Sequence, residues 1–384
     1  MASTWTVTPT PVVKGAFFGA AAVSSTDAWA FGQQRDPTGF SALAEHWDGT
    51  AWKIVATPAL SSSDPNQPAW PLLNAGFAFS ASDAWAVGFD ENFLVEVGGI
   101  IEHWDGRSWQ LVSHPASDLG LGTQLNAVSA VSPSDIWVVG SETITAGGQS
   151  QTVALHYDGE SWTRMVPYVG SGGPEGSSFS DLFCVKAVAT DDVWALGEDY
   201  NSPIALHWNG TAWTVVPFPA FTSADATYAG AIDGAASDDI WAFGHYLVPA
   251  GYEGGESAEA MAWHWDGQSW SYVTDPDPQH PTLDLVSGAE SAFSGVTALA
   301  KDNVWTTGVA GLGGNSNAGV QYFLHYDGTA WSAVVNSTNG SPGPNGGYDG
   351  GGNPLASSPD GDVWAVGAGS SVPSDPFAVH YAAP

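Results

Sequence analysis

The chain has 384 residues, 43% of them apolar, enough to bury a substantial core and too many for a disordered polymer. Its 40 acidic side chains face 7 basic ones, and the resulting net charge of −33 repels nucleic acid and anionic membranes while leaving cations, neutral sugars and basic partners open. No stretch approaches the roughly 18 uninterrupted apolar residues of a membrane span, and the single cysteine, Cys184, excludes an intrachain disulfide.

From the N-terminus, the first strand-like segment is Trp5-Thr6-Val7-Thr8-Pro9-Thr10-Pro11. A longer phrase then begins and recurs seven times. Its strongest part is Asp-x-Trp-x-x-Gly, anchored on Trp29, Trp85, Trp137, Trp194, Trp241, Trp305 and Trp364, at intervals of 47 to 64 residues. That period suits four-stranded propeller blades. Asp27, Asp83, Asp135, Asp192, Asp239 and Asp362 stand two before the Trp; the sixth copy has Asn303 instead. A His-aromatic pair follows each anchor: His46-Trp47, His103-Trp104, His156-Tyr157, His207-Trp208, His264-Trp265, His325-Tyr326 and His380-Tyr381. Six of these pairs run directly into Asp-Gly or Asn-Gly, which predicts a type I′ hairpin turn. A second Trp follows each turn, at positions 52, 109, 162, 213, 270 and 331.

Each copy therefore reads as four strands, A to D. In the third copy these are Leu125 to Val131, Ile136 to Val139, Val153 to Tyr157 and Trp162 to Val166. The seventh copy stops after strand C, at Tyr381. Its missing strand D lies at the other terminus, because Trp5 to Pro11 matches Trp213 to Pro219 at five of seven positions. The expected architecture is all-β: one domain over residues 1–384, a seven-bladed β-propeller of four-stranded antiparallel blades, closed by the N-terminal strand.

The pattern of Phe31-Gly32, Trp47 and Trp52 resembles a kelch repeat, and the resemblance covers the whole chain. Only the first Gly of the usual kelch pair is regular. The His-Trp-Asp-Gly-x-x-Trp hairpin also resembles the repeats of bacterial tectonin-like sugar-binding propellers. Galactose oxidase shares the kelch architecture, but Cys184 sits within a predicted strand A and gives no support to that copper chemistry.

Repeated residues are expected to be scaffold. A histidine occurring once per blade stands far from its copies, and no HxH or HExxH spacing is present. Each His is expected to hydrogen-bond the Asp two before its anchor Trp, and the aromatics to pack between blades. Six before that Asp, Lys186 and Asp233 fall in adjacent blades and are expected to pair near the central channel.

A site is sought in what the repeat does not dictate. The B–C and D–A loops share one face and carry Trp70, Asp90 and Glu91 in blade two, and Glu198, Asp199 and Tyr200 in blade four. Blade five adds His245, Tyr246, Tyr252 and Glu253; His280 and Tyr348 follow in later loops, and Arg35 is the base of the blade-one loop. Acids beside Tyr, Trp and His suit a neutral sugar, Ca²⁺ or a cationic ligand, although no EF-hand spacing appears and the cofactor is left open. The reading is a non-catalytic binding propeller for carbohydrate or a partner protein, with a glycosidase or lyase using loop carboxylates as the alternative. A monomer is expected, with no nucleic acid and no membrane insertion. The sparse lysines amid many Trp, Gly, Ser and Thr point to an exported bacterial protein, with a cytoplasmic location left open.

Overall fold

The computed structural model describes residues 5–11, 13–37, 39–60, 68–90, 98–115, 122–144, 149–168, 170, 179–200, 202–219, 226–249, 256–273, 291–310, 320–334, 354–368 and 375–383. They form seven four-stranded antiparallel sheets and, among the described residues, no helix. Blade one is built from Lys14–Ser24, Asp27–Asp36, Gly39–Trp47 and Trp52–Ile54, in the order A-B-C-D. Blade seven combines Leu355–Ser357, Val363–Ala368 and Pro376–Tyr381 with the N-terminal Trp5–Val7 as its strand D. In that seam Trp5 pairs with Tyr381 and Val7 with Val379, so the ring closes as expected.

The repeat is explained by one packing unit used seven times. Every anchor Trp meets the strand-D Trp of the following blade edge-on: Trp29 with Trp109 at 5.1 Å, Trp137 with Trp213 at 5.5 Å, Trp194 with Trp270 at 5.5 Å. Trp305 meets Trp5 in the same way, at 5.8 Å. Trp5 thus occupies the place of a second Trp although it comes from the other end of the chain. Each such ring buries a large apolar area, and the edge-to-face geometry favours the pairing further.

The anchor glycine follows from a close approach. A bulge in strand A beside Leu125 brings the Gln124 carbonyl to 1.9 Å from where a Cβ on Gly140 would stand, which no side chain tolerates.

The hairpin after the His-aromatic pair differs from the type I′ turn the sequence suggests. Type I′ needs positive φ at both central residues, but only the glycines have it, Gly49 and Gly210 at 87°. Asp48 instead turns its carboxylate back, and Oδ1 accepts from the Thr50 and Ala51 amides at 2.9 and 3.0 Å. The turn is four residues long and held by an Asx cap, which is why Asn209 serves equally well in blade four.

Candidate functional site

The seven histidines belong to the scaffold. His46 Nε2 lies 2.7 Å from Asp27, His156 2.9 Å from Asp135 and His264 2.8 Å from Asp239, each the Asp two before its anchor Trp. Each ring also packs against that Trp, as His380 stacks on Trp364 at 4.1 Å. In blade six the partner is Asn303, at 2.9 Å from His325, and burial lowers the His325 pKa.

A–B and C–D turns emerge at one face of the ring, and B–C and D–A connections at the other. On that second face, at the junction of blades one and two, Trp70 stands 38% exposed. Its ring lies edge-on to Phe40 at 5.5 Å, and the Arg35 guanidinium sits 5.8 Å above the other ring. Asp90 Oδ1 accepts from the Trp70 amide at 2.6 Å, and Gln33 Nε2 donates to the Trp70 and Pro71 carbonyls at 3.4 Å. The segment carrying Trp70 is thereby fixed from both sides, leaving an aromatic edge beside a cation and an amide.

A second group lies around blade four. Tyr168 donates its hydroxyl to Asp199 Oδ2 at 2.9 Å. Tyr200 has φ of 52°, the only non-glycine with positive φ among the described residues, and its exposed ring meets exposed Phe179 at 5.8 Å. A side chain held in that region costs conformational energy, which makes the position worth attention as a site. Glu198 stands directly opposite Asp181 in the sheet register, so the two acidic side chains leave the same face of the sheet.

Blade five differs. Tyr246 is fully buried in the core between blades four and five. His245 is nearly as buried and stacks on Tyr228 at 4.9 Å; burial lowers its pKa to about 4, so it is neutral at physiological pH. Neither ring presents a surface to solvent. Glu91, Tyr252, Glu253, His280 and Tyr348 lie outside the described residues. The structure therefore brings Trp70 to Asp90 and groups Glu198, Asp199 and Tyr200, but does not join the blade-five pair to either. Gln33, Phe40, Tyr168, Phe179 and Asp181 were not singled out from the sequence. The available signal was an aromatic or amide at the loop end of a strand where the repeat demands none. Among the described residues no three His, Cys, Asp or Glu side chains gather as a metal site, and no helix is long and apolar enough to cross a membrane.

On the axis, Lys186 Nζ pairs with Asp233 Oδ1 at 2.5 Å, joining blades four and five as the register position suggested.

No family model matches the chain, and no curated protein does either. Solved structures align over nearly all of it at low identity. A GH74 xyloglucanase from Xanthomonas campestris shares 14% identity with a TM-score of 0.55, covering 95% of this chain and 53% of that one. The polysaccharide lyase Uly1 shares 8% at 0.55, covering 95% and 89%. U3-55K shares 9% at 0.54, covering 99% and 98%. The chain spans about half the length of the xyloglucanase. At these identities the likeness shows the propeller fold alone, a fold that hosts unrelated functions.

Proposed function

We propose that the chain is a kelch-like, single-domain recognition propeller that holds a carbohydrate on its loop face without catalysis. The observation that carries this reading is the Trp70–Phe40–Arg35 group. An exposed indole beside a guanidinium offers an apolar shelf with a planar donor at its rim, the chemistry that suits the C–H face and hydroxyls of a sugar. The exposed Tyr200–Phe179 pair supplies a second shelf. Two polysaccharide-acting proteins among the structural neighbours accord with a sugar ligand, and a strongly acidic surface accords with an extracellular setting.

The test is a glycan array followed by calorimetry on any glycan retained. Trp70→Ala is expected to weaken binding about tenfold or more while leaving the thermal midpoint unchanged. Binding that survives both Trp70→Ala and Tyr200→Ala would move the site elsewhere; an array without signal, alongside capture of a protein ligand, would replace the sugar with a partner protein.

The opposed carboxylates Asp181 and Glu198 favour a second reading, a glycosidase or lyase. Paired carboxyl groups do acid and base work when their environments separate their pKa values. Release of reducing ends from a bound polysaccharide, abolished by Glu198→Gln, would establish it.

A further inference from the structure

We propose that the axial cavity, on the side of the ring opposite the loop face, is a binding site for a small monoanionic carboxylate with an apolar body. The cavity has a volume of about 430 Å³, within the ordinary range of small-molecule pockets. Its wall is divided. Blades one and two contribute only apolar residues and glycine, among them Ala21, Ala22 and Phe77, whereas Ser129, Lys186, Asp233, Thr297 and Ser357 come from blades three to seven, beside apolar neighbours such as Val128 and Ile232.

The polar arc has donors to spare and no spare acceptor of strength. Both Asp233 oxygens are engaged: Oδ1 takes the Gly234 amide at 2.8 Å and Lys186, and Oδ2 takes the Ala298 amide at 2.9 Å. Lys186 has three N–H groups for this one carboxylate and keeps 26% of its side chain exposed. Ser129 Oγ accepts from the Ala187 amide at 3.0 Å, leaving its own proton without an acceptor among the described residues. Thr297 and Ser357 share one hydrogen bond at 2.7 Å, which leaves one hydroxyl proton for the cavity. A group that accepts several hydrogen bonds and carries one negative charge answers this surplus, with Lys186 as its counter-ion. The alanines and Phe77 face the other side of the space and suit a hydrocarbon body.

Two features bound the charge. Among the described residues Lys186 is the only basic one lining the cavity. The turns around its mouth carry Asp191, Asp238, Asp302 and Asp360, with Asp238 alone of these paired to a lysine, Lys301, at 2.7 Å. A polyanion would meet that rim at a cost, so the site selects a single charge. Cys184, also in the wall, adds none, because burial pushes its thiol pKa well above the usual range.

The experiment is ligand-observed NMR and calorimetry on the whole chain with acetate, benzoate and glucuronate, and with benzamide as the uncharged match for benzoate. Benzoate is expected to bind in the millimolar range, about tenfold tighter than benzamide, and to lose about tenfold in Lys186→Met. Ser129→Ala is expected to weaken it severalfold. Trp70→Ala is expected to leave it unchanged, which separates this cavity from the loop face. If Lys186→Met does not fold, the neutral pair Lys186→Gln with Asp233→Asn serves instead. Absence of binding by all three acids at about 20 mM, equal affinity for benzoate and benzamide, or undiminished affinity without the ammonium would each overturn the proposal.

Discussion

One repeat position of strand C, the residue before the histidine, sets blades one and two apart from the other five. Blades three to seven place Leu155, Leu206, Trp263, Leu324 and Val379 there, facing the neighbouring blade. Blades one and two place Glu45 and Glu102, and both are buried as completely as the leucines. Among the described residues neither Glu45 oxygen has a hydrogen-bond partner, nor does Glu102 Oε2. Burial alone pushes each pKa up to about 8, so both carboxyls are held protonated near neutrality. The contrast teaches that a repeat position tolerates a carboxyl in an apolar seam when the proton stays on it.

The largest effect expected follows from that proton. Between the ordinary value of 4.5 and about 8 the unfolded chain has released it while the folded chain retains it. Stability from these two groups is therefore full below about pH 4.5, falls as pH rises towards 8 and is flat beyond. The loss approaches on the order of 4 kcal/mol for each group. Replacing both with Leu, as blades three, four and six have it, is expected to remove this slope; urea unfolding at pH 5 and pH 8 measures the difference. An unchanged difference between the two pH values would mean the seam is wet.

A second break in regularity is strand D of blade seven, supplied from the other terminus. Trp5 is 1% exposed and stacks on Phe323 at 4.0 Å. Trp5→Ala is expected to cost about 3–5 kcal/mol in chemical denaturation, as a large buried aromatic does elsewhere. A much smaller cost would show that the seam adds little.

Asp135 receives both His156 and the Trp137 indole N–H, at 2.9 Å each. Asp135→Ala leaves the buried Trp137 indole N–H and the half-buried His156 without that partner and is expected to cost about 1–3 kcal/mol in the same assay. Smallest is the restoration of the regular residue in blade six. His325 titrates below its ordinary value beside neutral Asn303, so it withdraws stability as pH falls below 6.5. Asn303→Asp is expected to raise the His325 pKa, read by NMR titration, and to lessen that acid loss by less than about 1 kcal/mol.

Most of the fold was legible because a propeller writes each contact seven times. The Asp–His contact, the meeting of Trp5 with the unfinished blade and the Lys186–Asp233 pair all follow from register, a property of spacing. Glu45 and Glu102 were not legible, since nothing in the local phrase Glu-His-Trp-Asp-Gly says which sheet face a neighbouring blade covers. The loop face was legible only as chemistry: Trp70 and Asp90 are joined by an amide hydrogen bond across twenty residues, whereas Tyr246, equally promising by type, turns into the core.

The join between the chain ends has a mechanical consequence. Every other blade is continuous along its own backbone, but blade seven is held shut by three paired residues, the Thr8 amide and hydroxyl on Ala378, the Thr10 hydroxyl on the Pro376 carbonyl, and the Lys14–Asp375 contact. Load applied between the two termini falls on this short zip before it reaches any hairpin, so the circle should fail there first and open into an arc.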